Sequence, residues 1–194
     1  MKNTEILGCA LAVGLFAPSV HADESATGKD RKLAVFAGQM TFDDYGTIAY
    51  DPGNIDWADS HLAGLAYSQK WRDISQRFTL GWEVQLIGHT GINDHVELNI
   101  PVWIRYNPID PWFPFQSAGF GVGPSFASSP PELEIERKGQ SQRAMPTWFM
   151  ELEFGDPDWV VSPFIRIHHR SDGYIFADFD TGSNGVVAGV RFSF

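Results

Sequence analysis

A chain of 194 residues with a formal charge of −10 repels polyanions, so nucleic acid is excluded as a natural partner. Nineteen glycines, 14% aromatic residues and one cysteine, Cys9, exclude a disulfide-stapled scaffold and favour a glycine- and aromatic-rich β protein. After the N-terminal stretch no apolar run approaches the roughly 20 residues of a membrane helix, which leaves one β domain: a soluble barrel or sandwich, or a barrel that crosses a membrane with its strands.

Residues 1–22 read as a secretory signal peptide. Lys2 begins a short polar region, Ile6 to Ala17 is apolar, and Val20-His21-Ala22 forms a small-residue cleavage site before Asp23. Most of the apolar run follows Cys9 instead of preceding it, the wrong order for a lipoprotein acylation site. The mature domain is therefore expected to span 23–194 and to contain no cysteine.

In chain order, strands are predicted at about 33–42, 60–70, 77–87, 95–106, 117–127, 147–154, 161–171 and 184–194, near the roughly 9–11 residues of a tilted membrane strand. The clearest are the third and fourth. Phe78, Leu80, Trp82, Val84 and Leu86 alternate with polar or small residues, and Val96, Leu98, Ile100, Val102, Ile104 and Tyr106 alternate with Glu97, Asn99, Pro101, Trp103 and Arg105. Alternation alone fits a soluble or a membrane barrel. The last strand, with Asn184, Val186, Ala188, Val190, Phe192 and Phe194 on one face, resembles the aromatic-ended final strand of bacterial outer-membrane barrels. Loop lengths agree: the outer connections 43–59, 128–146 and 172–183 are long, with 88–94 shorter, whereas Trp71 to Gln76 and Gly155 to Trp159 are tight inner turns. The longer inner connection, Asn107 to Gln116, carries Trp112, Phe113 and Phe115 for an inner aromatic girdle. The expected fold is all-β: an eight-stranded antiparallel up-and-down transmembrane β-barrel in the bacterial outer membrane.

In this register the inward face gathers Glu83, Glu97, Glu151 and Glu153 against Arg105, Arg166, Arg170 and Arg191, a plugged core of paired charges instead of a pore. His168 also faces inward, as a partner for Glu151 or Glu153. His61, His89 and His95 fall near outer strand ends, but their spacing carries no ligand pattern, so neither metal nor cofactor is expected. Arg137, Lys138 and Arg143 lie in the third outer loop, within reach of lipid phosphates; a solvated loop is the simpler account.

The chemistry-bearing stretch is Pro163 to Tyr174, PFIRIHHRSDGY. Period two puts Pro163, Ile165, Ile167, His169 and Ser171 on one face and Phe164, Arg166, His168, Arg170 and Asp172 on the other. The first face is the lipid face, and its outer end lies at the level of lipopolysaccharide acyl chains. His169 and Ser171, two residues apart, are a base and a nucleophile for acyl hydrolysis. Asn184, at the outer end of the neighbouring strand, is in register to orient the imidazole; Asp178 or Asp180 in the last outer loop is the competing third group.

At these residues the chain resembles the lipid A 3-O-deacylase (PagL) family, acyloxyacyl hydrolase-like outer-membrane barrels with a C-terminal His-x-Ser-Asn motif and a catalytic Glu on the last strand. Here the motif stands as His169-Arg170-Ser171-Asp172, and Asn184 occupies the outward position matching the Glu. The resemblance is specific over about 163–194, looser over 117–154, and architectural upstream. It implies cofactor-free hydrolysis of the ester-linked acyl chain at position 3 of lipid A, with Ser171 as nucleophile, His169 as base, and the Asp172 and Gly173 backbone N–H groups as oxyanion donors. Where the family has Asn, the anionic Asp172 side chain would oppose a developing oxyanion, leaving that task to backbone N–H groups. Two other classes stay open: a non-catalytic outer-membrane barrel with a structural or adhesive role, and a soluble periplasmic lipid-binding barrel. Whether two copies form a homodimer is also open.

Overall fold

The computed structural model describes residues 30–171 and 181–194. The expected signal peptide, residues 1–22, lies outside them. The described chain forms β1 (Arg31–Thr41), β2 (Trp57–Asp73), β3 (Phe78–Gly91), β4 (Val96–Asn99), β5 (Val102–Tyr106), β6 (Phe115–Ala127), β7 (Ala144–Phe154), β8 (Val161–Ser171) and β9 (Gly182–Ser193). Every neighbouring pair is antiparallel, and β2 pairs β3 to close the ring. β4 and β5 both lie between β3 and β6, so they are two halves of one stave. The break falls at Ile100-Pro101, where proline has no N–H to give a ladder; the Pro101 carbonyl still accepts from Glu83 N–H at 2.9 Å. The result is a closed eight-stranded antiparallel up-and-down barrel, as the alternation implied.

Burial follows the two-residue period. Leu33, Val35, Leu65, Leu86, Val96, Ile104, Val122, Leu152 and Ile165 all point outward and are exposed. An apolar belt around a closed barrel matches the lipid face of an outer-membrane barrel, not a surface built for water. At the inner end Trp71, Trp112, Phe113, Trp159 and Phe194 are exposed together, an aromatic girdle that includes two of the three residues expected from the Asn107 to Gln116 connection.

The lumen has three parts. Toward the inner end Arg105 bonds Glu151 at 2.6 Å and Glu153 at 2.8 Å, Arg191 bonds the same two at 2.7 and 2.9 Å, and Arg166 bonds Glu151 at 2.6 Å and Glu83 at 2.9 Å. These guanidiniums also lie on aromatic faces, Arg166 at 4.0 Å from the Phe149 centroid and Arg191 at 4.7 Å from that of Phe164. Beside them Phe36, Met40, Leu62, Ile87, Leu133 and Val187 build an apolar cluster that the expectation of a purely charged core did not include. Toward the outer end lie His89, His95, Glu97 and His168. His168 faces inward as expected, but its carboxylate partner is Glu97, at 3.4 Å, and not Glu151 or Glu153, whose oxygens the arginines and Lys32 occupy.

Two short helices shape the outer end. α1 (Tyr45–Tyr50) belongs to the first outer loop and lies against β8. α2 (Glu132–Lys138) corrects the expectation of an irregular third loop. Glutamates in its first turn, Arg137 and Lys138 in its last, and Gly139 at φ 79 after it are favourable helix-end chemistry. It plugs the outer mouth: Leu133 joins the apolar cluster with its N–H donating to Asn93 Oδ1 at 3.0 Å, and Glu134 pairs with Arg170 at 2.7 Å.

Candidate active site

The antiparallel ladder of β8 and β9 sets His169 opposite Asn184 and Ser171 opposite Gly182, while β7 sets Trp148 on the other side of His169. Arg170, between the two, points inward to Glu134 and α2, so the strand is anchored from inside at the residue that separates base from hydroxyl.

His169 Nδ1 lies 2.6 Å from Asn184 Oδ1. An amide presents either its oxygen or its NH2 to an imidazole, and only the oxygen favours a proton on Nδ1. A second bond makes the choice here: Asn184 Nδ2 donates to the Asp43 carbonyl at 2.8 Å. With NH2 committed there, Oδ1 faces the ring, Nδ1 carries the proton, and Nε2 keeps its lone pair. This is the tautomer a general base needs, obtained with a neutral third group.

The imidazole is not bare to lipid, as the register alone suggested. It faces outward but is 9% exposed. Trp148 lies over it with centroids 4.4 Å apart, and Tyr45 of α1 meets it edge-on at 5.9 Å. The reason is the first outer loop, which folds back against β8. His169, Ser171 and Asn184 line one cavity of about 630 Å³, together with Asp44, Tyr45, Tyr50, Arg137, Lys138 and Thr181. Arg137 is not solvated: it donates to the Phe42 carbonyl at 2.9 Å and the Gly182 carbonyl at 2.7 Å, and pairs with Asp44 at 3.1 Å, clasping three segments around the cavity. On the adjoining outer wall Ile48, Ala49, Pro52 and Ile55 overhang Met150, Ile165, Ile167 and Val186 to form an apolar trough of about 660 Å³.

Ser171, His169 and Asn184 are thus brought to one place. Asp172, Gly173, Asp178 and Asp180 lie outside the described residues. Sequence reasoning missed Tyr45, Trp148 and the Asp43 carbonyl, and placed Arg137 in the third outer loop without its clasp on Phe42, Asp44 and Gly182. Trp148 was accessible through the β7–β8 register; the loop residues reach the site only through tertiary folding.

No protein-family model matches the sequence, and no curated protein is significantly similar to it. Among solved structures, the crystal structure of the outer membrane enzyme PagL is similar over 84% of this chain and 99% of that one, with 12% identity and a TM-score of 0.58. Neisserial surface protein A (NspA) is similar over 84% of this chain and 96% of that one, with 12% identity and a TM-score of 0.49. The attachment invasion locus protein Ail of Yersinia pestis covers 87% and 100%, with 12% identity and a TM-score of 0.41. At such identity the likeness to PagL establishes a shared fold, and this chain has the architecture of an outer-membrane β-barrel.

Proposed function

We propose that the protein is an outer-membrane lipid A deacylase, a carboxylic ester hydrolase that removes an ester-linked acyl chain, the 3-O chain by the family resemblance. The observation that carries this reading is the His169–Asn184–Asp43 relay, which supports Nε2 as a base at the outer end of a lipid-facing strand. Nε2 takes the Ser171 hydroxyl proton as Oγ attacks the ester carbonyl. The tetrahedral intermediate collapses with release of the sugar hydroxyl, protonated by the imidazolium, and water then frees the fatty acid from Ser171 by the same base. Oxyanion stabilisation is assigned to the Asp172 and Gly173 backbone N–H groups. The apolar trough supports a substrate with long alkyl chains, and Arg137 and Lys138 at the cavity support an anionic headgroup.

The test is mass spectrometry of lipid A from membranes with and without the protein. Loss of one acyl chain with wild type and its retention with Ser171→Ala is the expected result; an unchanged lipid A profile with folded wild type rejects the reading. A non-catalytic barrel is the second reading, favoured by Asp172 and Asn184 where the family has Asn and Glu. It predicts identical profiles for wild type, Ser171→Ala and His169→Ala.

A further inference from the structure

The outer third of the lumen holds three imidazoles and one carboxylate: His89 from β3, His95 just before β4, Glu97 from β4, and His168 from β8 on the opposite wall. All four side chains are at most 3% exposed. Glu97 Oε2 lies 3.5 Å from His89 Nε2 and 3.8 Å from His95 Nε2, and Glu97 Oε1 lies 3.4 Å from His168 Nε2. These separations exceed the 2.7–3.2 Å of good N–H···O hydrogen bonds. Ligand atoms of His89, His95 and Glu97, one from each, lie within 4.8 Å of one another, close enough to converge on a single ion, whereas His168 stands outside that group, against the carboxylate's other oxygen.

Two further observations point to a cation. His89 Nδ1 and Nε2, His95 Nδ1 and Nε2, and His168 Nε2 have no hydrogen-bond partner among the described residues, although all are buried. Buried polar atoms left this way are costly and rare. Secondly, every other lumen glutamate meets arginine: Glu83, Glu151, Glu153 and Glu134 all do. Glu97 has no arginine or lysine ion pair among the described residues; the titratable groups at its oxygens are histidines. Asn99 Nδ2 donates to Glu97 Oε1 at 2.7 Å and to Gln85 Oε1 at 3.2 Å, so the carboxylate is held in place from behind, as outer-shell groups hold metal ligands.

We propose that this cluster is a structural site for a first-row transition dication, with one imidazole nitrogen each from His89 and His95 and Glu97 Oε2 as its three protein ligands, and His168 behind the carboxylate at Oε1. Imidazole donors with one carboxylate suit zinc among such ions. The ion fixes the β3–β4 hairpin at the outer end of the lumen and compensates the Glu97 charge, while His168 links that carboxylate to β8, one residue before His169. The proposal is independent of the deacylase reading.

The experiment uses the full folded barrel in detergent, stripped with a chelator and then titrated with zinc chloride, with bound metal measured by elemental analysis. One zinc per chain, a higher thermal midpoint with zinc, and an intense four-coordinate cobalt spectrum after substitution are expected. His89→Ala and Glu97→Gln should weaken binding by more than ~100-fold, beyond the ~10–100-fold that loss of outer-shell support produces and that His168→Ala should show. Folding of each variant is checked by its heat-modifiable gel mobility, and His95→Asn serves where another variant does not fold. Substoichiometric zinc in the wild type, or equal affinity in wild type and any folded ligand variant, overturns the site.

Discussion

The two faces of β8 carry similar side chains to different ends. Inward, Arg166, His168 and Arg170 each meet a carboxylate, with all of these side chains buried. Outward, Ile167, His169 and Ser171 meet apolar wall and a roofed cavity. The adjacent histidines make the contrast sharpest. His168 Nε2 has no hydrogen-bond partner among the described residues and sits 3.4 Å from a carboxylate, whereas His169 Nδ1 is held at 2.6 Å by a neutral amide that leaves its other nitrogen free to act as a base. Chemistry at an imidazole is set by what the fold aims at each nitrogen, and a one-residue step along a strand exchanges one setting for another.

That contrast can be broken from either face. The largest effect is expected outside: Ser171→Ala should lower acyl release by about 10⁴-fold, equivalent to ~5.5 kcal/mol of barrier, with folding unchanged, read from the rate of fatty-acid release in detergent micelles. From inside, Arg166→Ala removes one partner from Glu83 and Glu151 and should cost about 3–5 kcal/mol of stability, measured by denaturant unfolding of the refolded barrel. Asn184→Ala frees the imidazole to choose its tautomer. A fall of roughly 10²–10³-fold in kcat with little change in KM is expected, and unaltered kcat would remove Asn184 from the mechanism. Tyr45→Ala deletes two edge-on ring contacts, to His169 and to Trp148, and should cost about 1–3 kcal/mol, seen as a drop in the unfolding midpoint.

Much of the barrel was legible because its strands obey a two-residue period that lipid on one side and a packed lumen on the other enforce strictly. The predicted span 161–171 coincides with β8, whereas β2 and β3 extend beyond 60–70 and 77–87. Hairpin pairing continues there, through residues such as Arg72 and Gly91, after the hydrophobic alternation has ended. α2 was missed because seven residues between two prolines and a glycine give too short a window for a helical pattern, and its stability comes from Leu133 and Glu134 docking in the barrel mouth. At the site, His169, Ser171 and Asn184 were identifiable from facing and register, since both depend only on counting along strands.

Alternation, loop lengths and the aromatic end of the last strand by themselves determined that this chain closes into a barrel with an apolar outer face, and which side chains of β8 face out. Those properties depend on the local pleat and on the sign of each residue's transfer energy. Tertiary structure decided the partners: the Asp43 carbonyl that orients Asn184, the Tyr45 and Trp148 cover over His169, and the meeting of His89, His95 and Glu97 with His168 from the opposite wall. Each of these contacts joins segments far apart in sequence. No periodicity encodes them, because they exist only once barrel closure and loop folding have brought those walls and loops together.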